Sequence, residues 1–264
     1  MHLGGELGGL FCVAWASDEI HRMFDRAKKF YLRQQVDPGL LGIWLNPFYF
    51  ARKELHREMA HFAPNLNGRL LDVGCGSKPY RELFPYASDY IGLEYDTPVN
   101  RVAKRADYFY NGNTFPFDAL SYDGVICNQV LEHVFNPDQF LQEIFRVLKP
   151  GGKLLMTVPF VWDEHEQPWD YARYSSFGLR SLLERNGFIV DEQRKTNADA
   201  RVLFQLINAY LYKALQTSNG KINLLVCAFV MSPFNLMGIV LGKLLPANPD
   251  LYLDQVVLAR KKAE

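Results

Sequence analysis

The sequence has no surplus of charge in either direction: 29 Lys and Arg stand against 29 Asp and Glu, a formal net charge of zero. Without a basic excess no global field draws the chain to nucleic acid, which is not an expected partner. Cysteine is scarce as well. Cys12, Cys75, Cys127 and Cys227 lie far apart with no CxxC pair. That excludes a disulfide framework and the usual zinc spacings, and it fits reduced thiols in a cytoplasmic protein. The sequence also lacks internal repeats and low-complexity tracts. An apolar stretch at 7–16 ends in Ala14-Trp15-Ala16-Ser17. Glu6 precedes it and no Lys or Arg does, so the basic start of a secretory signal is missing, and a loose or interfacial tail is expected. What remains is ordinary for a folded protein, 48% hydrophobic and 22% charged, enough for one α/β domain carrying an insertion. Aromatic residues, at 14%, are in excess and need somewhere to go.

Residues 1–66 read as a helical extension. Ser17 is a candidate N-cap for a helix over 17–33, in which Ile20, Met23, Phe24, Ala27, Phe30 and Tyr31 share one face. Asp37-Pro38-Gly39 ends it; an aromatic run at 40–50 and a second helix at 51–62 follow. Residues 67–264 read as the main domain. Strands are expected at 69–73, 90–94, 107–110, 124–128, 153–158 and 188–195, with a last one at 251–260. Helices are expected after the first strand (closed by Pro85), at 137–148 and at 175–186. Short strands alternating with helices predict a Rossmann-like, doubly wound α/β fold with a mostly parallel seven-stranded sheet. Between the last two strands, 196–250 forms an insertion. Its 222–242 stretch carries no charge and is nearly long enough to cross a bilayer. Asn223, Ser232-Pro233 and Asn235 interrupt it, which points to an interfacial or re-entrant helical hairpin, or a buried apolar lid, rather than a straight membrane helix.

The chemistry centres on Asp72-Val73-Gly74-Cys75-Gly76. In open parallel sheets, ligands bind beyond the carboxyl ends of the strands where strand order reverses, and a glycine turn there lets a ligand approach the backbone. Glu94, at the end of the next strand, is placed to accept both hydroxyls of a ribose. A dinucleotide would require a third glycine where Pro79 stands, to bring a helix N-terminus onto a pyrophosphate. A nucleoside without phosphate makes no such demand.

Several further segments follow in order. They are Gly92-Leu93-Glu94, Asn111-Gly112 with Phe115-Pro116-Phe117, Ser121-Tyr122-Asp123, Val130-Leu131-Glu132-His133-Val134 and Arg146-Val147-Leu148-Lys149-Pro150-Gly151-Gly152. With the glycine turn, this set resembles the class I S-adenosylmethionine-dependent methyltransferases, in particular the methyltransferase type 11 group, over 69–195 and again at the final strand. The resemblance implies S-adenosyl-L-methionine as cofactor. Asp72 and the backbone of Gly74, Cys75 and Gly76 would hold its methionine end, and Glu94 its ribose. Leu93 and Tyr95 would flank the adenine. Asn111 stands where the group often has Asp, and its amide oxygen can still accept from the adenine amino group. Asn128 and Gln129 would face the sulfonium, although Asn128 fits a strand-end cap equally well.

Methyl transfer mainly requires alignment and exclusion of water, with proton removal where a hydroxyl is the acceptor. A base for that task favours histidine. His165, in His165-Glu166-Gln167-Pro168-Trp169-Asp170-Tyr171-Ala172-Arg173-Tyr174, is the first candidate and His133 the second. Alternatively, His133 caps the following helix and His165 anchors its own loop to Asp170 or Arg173. The Glu132-His133 pair and Asp163-His165-Asp170 could also bind a divalent metal, but no spacing is diagnostic, and none is assigned. The insertion would lie beside the substrate mouth. That favours O-methylation of a hydrophobic, lipid-linked or glycan-type small molecule, with peripheral contact at the inner face of the membrane; a core extension or homodimer interface accounts for the same apolar segment. N- or C-methylation is a second enzyme reading, and a non-catalytic, cofactor-binding assembly protein is a third.

Overall fold

A computed structural model describes residues 22, 23, 25–103 and 106–263. The Ser17 cap, Cys12 and the apolar 7–16 stretch lie outside the described residues. Helix α1 covers 25–36. It is followed by α2 (Gly42–Leu45), α3 (Tyr49–Phe62) and, further along the chain, the short α4 (Pro98–Ala103).

Seven strands form one sheet: β1 (Gly68–Val73), β2 (Ala87–Tyr95), β3 (Tyr108–Tyr110), β4 (Tyr122–Asn128), β5 (Leu148–Pro159), β6 (Phe188–Lys195) and β7 (Asp254–Lys261). Their order is β3-β2-β1-β4-β5-β7-β6. All neighbours are parallel except β7, which runs antiparallel to both β5 and β6. Strand order reverses between β1 and β4, so the loops after these two strands open a crevice at the carboxyl edge.

Alternation along the strands separates two cores. Leu71, Val125, Cys127, Leu154, Met156 and Val257 face one way. They meet α5 (Pro137–Val147) through Phe140, Leu141, Ile144 and Val147, and α6 (Ser176–Arg185) through Leu179, Leu182 and Leu183. These spacings are the apolar stripe of an amphipathic helix, and each buried side chain contributes about 1.5–3 kcal/mol. Ser175 caps α6 by accepting from the Gly178 N–H. Leu70, Ile126, Leu155, Val256 and Leu258 face the other way, where α3 covers them with Leu55, Met59 and Phe62. The helical extension therefore supplies a wall of the sheet's own core.

The helix expected after β1 is replaced by a single 3-10 turn at Arg81–Leu83. Lys78 has a left-handed φ of 56°, and Pro79 and Pro85 bracket the segment. Pro79 has no N–H to give and Lys78 leaves the helical region, so helix propagation fails. Tyr80, Phe84 and Tyr90 pack the vacated layer with α3.

The insertion comprises α7 (Arg201–Leu215), α8 (Gly220–Val226) and α9 (Ser232–Leu244). A π-helical turn at Cys227–Met231 joins the last two. The apolar stretch is thus one continuous helical rod over Gly220–Leu244, not a hairpin folded on itself. Pro233 falls in the first turn of α9, where its missing N–H costs little, and the π turn takes up the irregularity. Asn235 interrupts the apolar pattern for a structural reason: its amide donates to the Ile43 carbonyl at 2.8 Å and accepts from Asn208 at 2.9 Å. The rod rests on α7 and α2, and only 28% of its most apolar stretch is buried. Ile43, Tyr49, Phe50 and Phe204 form a third core that joins the extension to the insertion. Together these two segments make a helical cap, of which the extension borders the crevice through Phe48, Ala51, Arg52 and Leu55.

Candidate active site

The first turn is set by backbone. Gly74 and Gly76 have φ of 69° and 49°, in the left-handed region. A Cβ on Gly74 would lie 2.3 Å from Val130 Cγ2, whereas one on Gly76 would meet nothing within 4 Å. The first glycine lets the β4 loop approach, and the second leaves open space above the turn.

Glu94 reaches back to this turn. One carboxylate oxygen accepts from the Gly76 N–H at 2.9 Å and the other from the Tyr95 N–H at 3.1 Å. Asp72 is buried at the end of β1 and accepts from the Tyr90 hydroxyl at 2.7 Å. Burial pushes its carboxyl up to about 7, against the opposing pull of that hydrogen bond and of Lys78. A cationic ligand group beside it would favour the ionised form. Cys75 is buried, and desolvation raises its thiol to about 12, so it is a protonated packing residue rather than a nucleophile.

At β4, the Asn128 amide oxygen accepts from the Thr157 hydroxyl at 2.7 Å. Gln129 has φ 54°; its backbone N–H donates to the Thr157 carbonyl and its side chain to the Thr157 hydroxyl. Asn111 is exposed, and its amide oxygen already accepts from the Asn113 N–H at 3.2 Å. Tyr95, half-exposed, meets Tyr110 edge-on at 6.1 Å.

These residues line two adjoining cavities. One, of about 660 Å³, is bounded by Glu94, Tyr95, Tyr110, Asn111, Val134 and Phe135. The other, of about 490 Å³, is bounded by Asp72, Gly74, Cys75, Gly76, Asn128 and Gln129 on the sheet side. Phe48, Arg52, Leu55 and Trp162 bound it on the cap side. His133 and Glu166 border both. The crest of the sheet is open, and Glu94 points into it. The nine residues expected at the cofactor are all brought to this one crevice.

Both candidate histidines border the second cavity. Their rings meet edge-on with centroids 4.8 Å apart. His133 Nδ1 lies 2.8 Å from the Trp169 carbonyl, and His165 Nδ1 lies 3.2 Å from the Asp163 carbonyl. Each Nδ1 is thereby assigned the proton, leaving Nε2 as the free acceptor. The His165 loop is held by Asp170, whose carboxylate accepts the His165 N–H at 2.9 Å and pairs with Arg173. Hydrogen bonding from Arg173 holds the Asp170 carboxyl down near 2. Anchoring and display coexist here: the backbone of His165 is fixed while its ring faces the cavity.

Two buried carboxylates stand beside the expected site residues: Glu132, already noted next to His133 in its motif, and Asp254, which the sequence reading missed. Glu132 is fully buried beneath the histidines, and neither of its oxygens accepts a hydrogen bond from another residue. Burial raises it to about 8. Asp254, at the start of β7, lines the second cavity; burial raises it to about 6, opposed by the Thr196 hydroxyl, Arg52 and Gln129. The signal was a charge inside an otherwise apolar motif or strand, in Val130-Leu131-Glu132 and Leu253-Asp254-Gln255. With His133 and His165, Glu132 also forms a set of metal-ligating atoms lying within 4.8 Å of one another, although 32 residues separate the histidines.

Fold and crevice together define a doubly wound α/β protein with a ligand crevice at the point where strand order reverses. The family model described as Methyltransferase domain matches residues 44–193, more than half of the chain. The chain belongs to the S-adenosylmethionine-dependent methyltransferase family, whose cofactor is S-adenosyl-L-methionine. A relative named as a probable S-adenosylmethionine-dependent methyltransferase from Mycolicibacterium smegmatis is 31% identical over 60% of this chain and 65% of its own length. An O-methyltransferase of Aspergillus nomiae is 28% identical over 66% of this chain and 90% of its own length. Among solved structures, the cyclase SpnF superposes with a TM-score of 0.54 at 20% identity, covering 81% of this chain and 83% of that one. That likeness speaks to fold alone, and the cyclase's name shows that the fold hosts other chemistry.

Proposed function

We propose that the chain moves a methyl group from S-adenosylmethionine to a hydroxyl of a hydrophobic small molecule held under the helical cap. S-adenosylmethionine supplies a methyl already activated on a sulfonium. The residues at the crest fit it: open space above Gly76 admits the backbone-held methionine end, and Asp72 offers a buried carboxylate to its ammonium. Glu94 takes the ribose, with Tyr95 and Asn111 at the adenine. Asn128 and Gln129 stand between this half of the crevice and the acceptor half.

The observation that carries the acceptor side is the composition of the second cavity. Phe48, Leu55 and Trp162 give it apolar walls, and His133 and His165 place two imidazoles at its inner end. Apolar walls with a few convergent polar groups are the signature of a small-molecule site. The two histidines promote loss of the acceptor hydroxyl proton, and closure by the cap keeps water from the sulfonium. The exposed apolar side of the rod, including Leu225, Phe229, Met237 and Val240, supports delivery of the acceptor from a membrane surface.

The test is incubation of the full chain with isotopically labelled S-adenosylmethionine and a lipid and glycan extract, with mass spectrometry of the products. Label should enter as an O-methyl group. His165→Ala should cut turnover by about 10²-fold or more without loosening cofactor binding. Label found solely on nitrogen or carbon, or full turnover by His165→Ala, would overturn the acceptor assignment.

A further inference from the structure

We propose that Glu132, His133 and His165 form a binding site for a divalent transition-metal cation at the floor of the acceptor cavity. Three observations meet there. Glu132 is completely buried, yet neither oxygen finds a hydrogen bond from another residue. A buried polar side chain left in that state is destabilising, more so if charged, so a native protein rarely leaves one without a purpose. Second, the carboxylate is aimed at the imidazoles: Glu132 Oε1 lies 3.9 Å from His133 Nε2, and one donor atom from each residue falls within a 4.8 Å set. Third, both rings are oriented as ligating histidines are. His133 Nδ1 meets the Trp169 carbonyl at 2.8 Å, and His165 Nδ1 meets the Asp163 carbonyl at 3.2 Å and Asp170 Oδ2 at 3.3 Å. Such contacts fix the tautomer and leave each Nε2 lone pair for a metal.

The donor set selects the ion. Two imidazole nitrogens and one carboxylate suit zinc, cobalt, manganese or ferrous iron, whereas magnesium and calcium prefer an all-oxygen shell. With bonds of about 2.0–2.2 Å, neighbouring donors around such an ion stand about 3–3.5 Å apart. The set must therefore draw in by about an ångström. The pinned backbone of His165 and the buried position of Glu132 leave this to side-chain rotation. Because the cavity borders both histidines, positions on the ion not taken by protein face the acceptor.

The consequence rests on the acceptor reading above and deepens it. A hydroxyl bound to the cation would have its pKa lowered, as metal-bound water does. Its O–H bond breaks with the proton passing to bulk water. The oxygen lone pair then forms the O–C bond as the C–S bond breaks and its electron pair returns to sulfur. The histidines act through the ion rather than by taking the proton themselves.

The full chain, stripped with a chelator, is titrated with Co²⁺ and followed by its visible d–d absorption, then challenged with Zn²⁺ and separately with Mg²⁺. One equivalent should bind, yield to Zn²⁺ and resist Mg²⁺. Glu132→Gln and His165→Ala should weaken binding by at least about tenfold to 100-fold, the loss typical when even a supporting residue is removed. Both variants should still bind S-adenosylmethionine, which reports that they are folded. No stoichiometric Co²⁺ binding by the unaltered chain, or equal binding by His165→Ala, overturns the site. Co²⁺ binding in a protein that fails to bind S-adenosylmethionine leaves the metal site standing and removes the methyl-transfer reading instead.

Discussion

The crest of the sheet and the helical cap are built by different means. At the crest, backbone does the shaping: two left-handed glycines, the carboxyl ends of β1, β2 and β4, and N–H groups aimed at Glu94. In the cap, buried side-chain amides hold together segments far apart in sequence. Gln205 of α7 accepts from the N–H groups of Phe50 and Ala51 at 3.0 and 3.2 Å and donates to the Pro47 carbonyl, capping α3 from 155 residues away. Asn197 donates to the Phe50 carbonyl at 3.1 Å, and Asn208 binds Asn235. The crest is a binding edge specified locally. The cap is specified at long range, and its rod exposes a run of large apolar residues including Leu225, Phe229, Met237 and Val240.

If that contrast is right, substitutions in the two regions should fail in different ways. The largest effect is expected at Gly74. Its Cβ would strike Val130, and φ is positive. The left-handed penalty of about 1–2 kcal/mol and an overpacking cost of about 1–3 kcal/mol add to about 2–5 kcal/mol. Gly76→Ala shares the first cost and lacks the second, so urea unfolding should place it about 1–2 kcal/mol below the parent. Equal losses at the two glycines would break the account of the turn. Next comes Gln205→Ala in the cap. It orphans the buried Phe50 N–H and the part-buried Ala51 N–H and should cost about 1–3 kcal/mol, while S-adenosylmethionine affinity stays within about twofold because no cofactor residue moves. A large loss of affinity would show that cap and crest are one cooperative unit.

The same contrast explains what could be read from sequence. The seven strands and the mostly parallel sheet follow from short strand-like runs alternating with helices, from turn residues and from the resemblance; the cofactor candidates were proposed from the same motifs, each at or just past a strand end. The rest depended on partners distant in the chain. Asn235 reads as an interruption of an apolar run, yet it is a clamp whose partners, Ile43 and Asn208, are 192 and 27 residues away. Pro79, which argued against a pyrophosphate site, also abolished the helix expected behind it. Glu132 stood out as a charge beside His133 in a recognised motif, but only the fold brings His165, 32 residues on, to the same place.

The central claim is that the Gly74–Gly76 turn and Glu94 hold a sulfonium nucleoside. Isothermal titration of S-adenosylmethionine into the unaltered chain and into Glu94→Ala tests it most directly. Each charge-assisted hydrogen bond from the ribose to Glu94 is worth about 1.5–3 kcal/mol. The account predicts one saturable site in the unaltered chain and an affinity lower by at least about tenfold in the variant. Absence of binding to the unaltered chain, or the same affinity in both, would contradict it.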